Sequence, residues 1–416
     1  MSAKPSCDEF DPNNLRVEQA LEQIHQNITP LVDTIELPLM QVHNHVLAQD
    51  IRSPLNVPAY TNSAMDGYAL RAADLPAEGN VTLDMIGTAY AGTPFNHAVQ
   101  GGQCVRIMTG AKLPDGADTV IMQEHASADG DRITFAAAHN EGQNVRHPGE
   151  DIAVDEVVLK QGQRLQAAEL GLLASLGVPQ IKVRRKLKVA FFSTGDELRP
   201  VGEALEEGQI YDSNRYTLFG MLRQLDVEIL DLGVIRDVPE AIEAAFEQAA
   251  DQADAVITSG GVSVGEADYV KQTLDKLGEV SFWKIAMKPG KPLAFGRVKQ
   301  AWFFGLPGNP VSVMATFYQF ALPALRHLMG ETAEPPLTFQ VPCSEALKKR
   351  AGRTDFQRGI LHRDEQGKLT VSAAGMQASH ILSGMSRANC FIILPLEADN
   401  IEAGTLVEVQ PFRGLM

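Results

Sequence analysis

Hydrophobic and polar positions change rhythm several times along this chain, and each change predicts a different kind of structure. Leu15, Val17, Ala20, Leu21 and Ile24 recur every three or four residues, which puts apolar side chains on one helix face. Pro30 and a short apolar run then read as extended chain. From 52 to 150 the helical period gives way to short Thr, Val and Ile runs broken by Gly and Pro. Asp-Gly turns stand at 66, 115 and 129, so this stretch predicts a small β-rich unit. Helical spacing returns over 163–178 (Leu165, Glu169, Leu172, Leu173, Leu176), and a basic run over 182–188 follows. This second helix is expected to pack back on the first, which makes the β-rich segment an insertion.

From 187 the alternation is regular. Strands over 187–192, 227–233 and 255–259 alternate with helices over 213–225, 239–250 and 267–277. Such alternation predicts a parallel sheet with right-handed crossovers and helices on both faces, and it puts ligands at the carboxyl ends of the strands. After 330 the helical period disappears. Residues 331–336 read as a linker, and short apolar runs over 338–416 suggest a small β-barrel. The fold class expected is therefore α/β plus β and multidomain. A helical and extended part (1–51 and 150–186) carries a β-rich insertion (52–149), followed by a three-layer α/β domain (187–331) and a C-terminal barrel (332–416).

Charge narrows the ligands. With 52 acidic against 36 basic residues the formal net charge is −16, which disfavours nucleic acid and anionic membranes. An anionic small molecule would need a local basic pocket. Cysteines at 7, 104, 343 and 390 show no Cys-x-x-Cys pairing, so neither a zinc framework nor a disulfide scaffold is suggested. The first residues lack a signal-peptide pattern and no window reaches membrane-spanning length, so a cytoplasmic protein is expected.

The candidate chemistry gathers at the predicted strand ends. Residues 256–269, VITSGGVSVGEADY, run an apolar strand into a glycine turn that can offer backbone N–H groups to an anion. No Gly-x-x-x-x-Gly-Lys-Ser/Thr occurs, so this is not a Walker loop. Each strand end also brings acid: Glu197 after the first, Asp237 after the second, Glu266 and Asp268 after the third. Carboxylates on adjacent strands about 5 Å apart can share a hard Mg²⁺. Each acid also has a plainer reading: Asp237 before Pro239 resembles a helix cap, and Ser263 with Glu266 a capping box. Lys284 and Lys288 fall on one side of an extended chain, suited to an oxyanion or to a solvated edge strand. Gly305-Leu306-Pro307-Gly308-Asn309-Pro310 is a stiff turn before a helix near Val311. Histidines are scattered and Gly-x-Ser-x-Gly is absent, which leaves electrostatic chemistry with metal, lysines and backbone amides.

Assembled in order, NSAMDGYA, MTGA, GEDI, STGDEL, DSNR, TSGGVSVGEADY, KPGKP, GLPGNPVS and DFQRG resemble the molybdopterin molybdenumtransferase family, bacterial relatives of the C-terminal part of gephyrin. The resemblance covers nearly the whole chain. It implies a homodimer that takes adenylated molybdopterin and molybdate, inserts molybdenum and releases AMP in molybdenum cofactor synthesis. It further implies that Ser259, Gly260, Gly261 and Ser263 hold the phosphate side of the pterin, and that Glu197, Asp237 and Asp268 place Mg²⁺ or the phosphates. Lys284 and Lys288 would attract molybdate, and Pro307 would shape the pocket. Asp66, Thr109, Arg146 and Asp151 match motifs of an insertion that in this family looks into the other subunit's cleft. Arg358 and Ser379 resemble anion-binding positions at its border. His147-Pro148 departs from the more basic loop of many bacterial relatives. Transient contact with a molybdopterin adenylyltransferase is a further implied partnership. The competing readings are that adenylyltransferase itself, a single compact domain, and a gephyrin-like scaffold with a peptide groove after 331.

Overall fold

The computed structural model describes residues 14–137, 139–261 and 269–412. Glu266, together with the candidate site residues Ser263 and Asp268, therefore lies outside the described residues.

The centre of the molecule is a six-stranded sheet built from β1 (Lys188–Thr194), β2 (Glu228–Ile235), β3 (Ala255–Ser259), β4 (Gly278–Lys284), β5 (Pro292–Val298) and β6 (Ala301–Leu306). Its order is β2-β1-β3-β6-β5-β4. The pairs β1–β2, β1–β3 and β3–β6 are parallel. The helices α1 (Ser213–Gln224), α2 (Pro239–Gln252), α3 (Tyr269–Leu277) and α4 (Pro310–Thr316) belong to the same domain. The purely parallel sheet expected from the sequence is extended by an antiparallel edge, β4–β5–β6. Only Lys299 and Gln300 join β5 to β6, a link too short for any parallel crossover, so a hairpin is forced.

Both faces of the sheet are buried, by period-two alternation along β1. Phe191 packs with Leu218 and Leu222 of α1 and with Phe304, whereas Ala190 and Phe192 pack with Ile242 and Phe246 of α2 and with Phe303. Phe246 is flanked by Phe192 and Phe303 at centroid distances of 5.1 and 5.5 Å, both edge-on. Each such fully buried ring contributes about 1.5–3 kcal/mol of apolar transfer, so the strand ends rest on a stiff base.

The opening helix (Val17–Asn27) does not pack on the helix Ala167–Ser175 as expected. Its buried stripe of Val17, Ala20 and Ile24 joins the α/β core, where α4 continues through a π-helical turn, Phe317–Ala321, into Leu322–Leu328. Ala167–Ser175 contributes Leu173 to a separate core with Val42, Leu47, Leu165 and Val183. The larger buried apolar surface of Leu322–Leu328 outcompetes the single buried leucine of Ala167–Ser175.

Between these parts, residues 62–136 include a six-stranded sheet with two small cores of its own. Toward the C-terminus, strands Thr354–Arg363, Cys390–Leu394, Leu406–Pro411 and Phe339–Pro342 pair in that order, and Leu369–Ala373 pairs with the first. A bridge between Cys343 and Val371 closes these five strands into a small barrel. The barrel is stitched to the α/β domain by Met287–Lys288, which pairs in parallel with Thr354 and Asp355.

Candidate functional site

Three strand ends meet at one edge of the sheet. Ser193 pairs with Ser259 and Ser259 with Leu306, so the turns after β1, β3 and β6 stand side by side. Gly260 donates its N–H to the Leu306 carbonyl at 3.2 Å. Its φ is 91°, that of Gly261 is 66°, and a Cβ on Gly260 would stand 2.8 Å from the Thr194 carbonyl oxygen. Only glycine fits where the turn crosses the end of β1 so closely.

Asn214, in the first turn of α1, clasps two of these turns. Its Nδ2 donates to Ser259 Oγ at 2.8 Å and to the Gly308 carbonyl at 2.7 Å. Asp212 caps the same helix, accepting from the Arg215 N–H at 3.0 Å. Ser193 Oγ, Asp212 Oδ2 and Asn214 Oδ1 are buried and find no hydrogen-bond partner among the described residues. Buried polar atoms left over at a sheet edge are groups that a polar ligand or an ordered water there would satisfy.

The acids lie on one flank. Asp196 Oδ1 accepts the Asp237 N–H at 3.2 Å, and Glu197 lines the cleft. The cap position of α2 is Val238 with no side-chain cap bond, so the capping role read for Asp237 is not taken up. Burial foremost, then the charges of Asp196 and Glu197, push the Asp237 carboxyl above the usual carboxylate range. Among the described residues no three His, Cys, Asp or Glu side chains stand together in a metal-binding group.

The opposite flank is basic. A cleft of about 1400 Å³ opens between the α/β domain and the barrel, lined by Gly260, Gly261, Lys288, Lys291, Pro307 and Arg353 among others. Lys284 ends β4 opposite Pro292, and its carbonyl accepts the Leu15 N–H at 2.9 Å. It does not line the cleft. The continuous extended chain that would put both lysines on one side is interrupted, because Ile285 and Ala286 are buried and the pairing partner switches from β5 to the barrel.

Arg358 is fully buried. Its Nη2 donates to the carbonyls of Met376 at 2.6 Å and Ala378 at 3.2 Å, while Nε and Nη1 have no partner among the described residues. Burial alone lowers its pKa from the usual guanidinium value. Arg358 thus holds the 376–379 loop rather than lining the cleft. Ser379 does line it, and its carbonyl accepts the Val311 N–H at 3.1 Å, tying that loop to α4.

Three family models match in succession: the MoeA N-terminal region (domain I and II) over 15–177, a probable molybdopterin binding domain over 190–327, and the MoeA C-terminal region (domain IV) over 340–412. A molybdopterin molybdenumtransferase from Haemophilus influenzae is 47% identical over 404 residues, covering 97% of this chain and 100% of the relative. The chain belongs to the MoeA family. A molybdopterin molybdenumtransferase from a Nostoc species is 35% identical over 91% of this chain and 89% of its own length. Gephyrin from Dictyostelium discoideum is 32% identical over 92% of this chain, which spans 62% of that longer protein. The crystal structure of a molybdopterin biosynthesis MoeA protein from Pyrococcus horikoshii superimposes with a TM-score of 0.82 at 28% identity, covering 96% of this chain and 100% of the other.

The MoeA motifs of the inserted part lie elsewhere in the subunit. Asp66 accepts from both the N–H and the hydroxyl of Thr109, each at 2.7 Å, and those two bonds hold its carboxyl below the usual range. Arg146 pairs with Asn62 in a short antiparallel ladder, and the Asp151 N–H donates to the Val57 carbonyl at 3.0 Å. Asp66, Thr109, Arg146 and Asp151 do not line the cleft of their own subunit. Sequence reasoning missed Asn214, Lys291, Lys348 and Arg353. The DSNR motif held the signal for Asn214, KPGKP (288–292) held it for Lys291, and the basic run KKRAGR, residues 348–353, held it for Lys348 and Arg353.

Proposed function

We propose that this chain inserts molybdenum from molybdate into adenylated molybdopterin and releases AMP, in molybdenum cofactor biosynthesis. The observation that carries this reading is the cleft itself, where a left-handed glycine turn and the cations Lys288, Lys291 and Arg353 share one wall system. Backbone N–H groups suit the phosphates of the adenylate, and the cations suit a tetrahedral oxyanion. Family membership along the whole chain supports the same reading.

Mg²⁺ fits the acidic flank by donor chemistry. Glu197 and Asp237 offer hard oxygen ligands, and the burial foremost, then the neighbouring charge, that raise Asp237 are what a divalent cation would offset. Asp268 is the third acid on this reading. When bound, the ion would neutralise phosphate oxygens of the adenylate. Within this chain, Asn214 fixes the Ser259 and Gly308 turns, and Arg358 fixes the loop carrying Ser379. Lys288 and Arg353 hold the oxyanion against the pterin side of the cleft. The inserted part, with Asp66, Thr109, Arg146 and Asp151, faces the cleft of a second subunit in a homodimer. The adenylate arrives by transient contact with a molybdopterin adenylyltransferase in the cytoplasm. No helix among the described residues is long and apolar enough to cross a membrane.

The test is to incubate the purified protein with adenylated molybdopterin, Mg²⁺ and graded molybdate while measuring AMP by chromatography. AMP that rises with molybdate is the expected result. Pyrophosphate formed from ATP and molybdopterin, without molybdate-driven AMP, would make the chain an adenylyltransferase instead.

A further inference from the structure

Beside the main cleft lies a second hollow of about 360 Å³ with a strongly basic wall. Lys288, Lys348, Lys349, Arg350 and Arg353 line it, against one acid, Asp355. Lys288, Lys348 and Arg353 also line the cleft, so these three side chains stand between the two cavities. In a chain of net charge −16, five cations around one small hollow reverse the local sign of the field.

The wall is held rigidly. Lys349 is only 5% exposed, and its Nζ donates to the carbonyls of Arg350 at 3.0 Å and Arg353 at 2.6 Å. Its own N–H donates to Asn400 Oδ1 at 2.9 Å. This clamps the 350–353 turn that carries both arginines. Asp355 is 3% exposed and pairs with Lys288 in the ladder that joins the barrel to the α/β domain. Burial foremost raises its pKa, while Lys349 and Lys288 oppose that rise. Asp399 is the other acid acting on Lys349, and it is engaged by the Ala351 N–H at 3.3 Å. Burial foremost lowers the pKa of Lys349, so the positive lining of the hollow rests on Lys288, Lys348, Arg350 and Arg353.

We propose that this hollow is a second oxyanion site, which takes a tetrahedral dianion of the size of molybdate or sulfate and passes it to the cleft past Lys288 and Arg353. Its volume far exceeds the roughly 30 Å³ that one water takes up in the liquid, so a dianion fits with several of its hydration waters. A partly hydrated ion held by ammonium and guanidinium groups exchanges readily, as a transit site requires. Molybdate as the physiological ion rests on the function proposed above; the anion site itself does not.

The experiment is calorimetric titration of the full-length protein with molybdate, and separately with sulfate, at constant ionic strength. Arg350→Ala and Ala351→Glu alter the hollow alone, since both residues lie outside the cleft lining and on the surface. Wild type is expected to bind two dianions per chain, and each variant to weaken one of the two by roughly thirtyfold, as for one unit charge acting on a dianion near 4 Å in water. The molybdate concentration for half-maximal AMP release should rise by a similar factor. One dianion per chain in wild type, or variants that titrate like wild type, would overturn the second site. If two dianions bind and both variants lose one but no AMP is formed, the hollow stands and the proposed reaction falls. If AMP forms with molybdate but the variants match wild type, the reaction stands and the hollow falls.

Discussion

Asn214 offers the sharpest test of how the cleft is held. Its amide joins the turn after β3 to the turn after β6 through bonds of 2.8 and 2.7 Å. Replacing it by alanine removes two neutral hydrogen bonds, about 1 kcal/mol each, and leaves the buried Ser259 oxygen without its donor, about 1–3 kcal/mol. The same change deletes Oδ1, a buried acceptor with no partner among the described residues, which returns about 1–2 kcal/mol. The net loss is about 2 kcal/mol, or roughly 4–8 °C in the transition of a domain of about 150 residues. Asn214→Asp separates this mechanism from mere volume. The aspartate keeps the shape but turns a donor into an anionic acceptor facing Ser259 Oγ and the Gly308 carbonyl, so it should unfold well below the alanine variant at neutral pH. Both variants are followed by calorimetry, with wild type alongside. If Asn214→Asp proved as stable as wild type, or more stable than Asn214→Ala, the two donated bonds could not be what clasps the turns.

Two further expectations follow from the titrating groups. Asp237 has a raised folded-state pKa, so its protonated form stabilises the fold fully below the unfolded carboxyl value of about 3.9, and that contribution fades as pH rises through the folded value. Asp237→Asn should therefore raise the melting temperature at neutral pH, lose that gain as pH falls below about 4, and gain less from added Mg²⁺ than wild type does; a variant less stable than wild type at pH 7 would contradict the cost of burying this carboxylate beside Asp196 and Glu197. Burial foremost pushes the thiols of Cys104 and Cys390 up to about 12, so in native protein at neutral pH both should resist iodoacetamide and react only after denaturation, as read by peptide mass mapping.

Much of this protein is legible before any coordinates. The strand Lys188–Thr194 and the helices near 213–225 and 239–250 follow from local period, because Phe191 and Phe192 point to opposite faces, Leu218, Met221 and Leu222 share one stripe, and Ile242, Ala245, Phe246 and Ala249 fall on another. The glycine turn at 260 and 261 is legible for the same local reason, a backbone that crosses another strand's end too closely for any side chain. Local pattern carries no information about which distant surfaces meet. The docking of the opening helix on Leu322–Leu328, the antiparallel edge of the sheet and the stitching of Met287–Lys288 to the barrel are products of competing apolar burial and open strand edges. The same holds for charge. The sequence alone established an acidic chain with a family's motifs in order, and so the need for a local basic site. Only tertiary structure decided that Lys288, rather than Lys284, joins Lys291 and Arg353 in the cleft, because only packing determines which side of a buried kink a long side chain can reach.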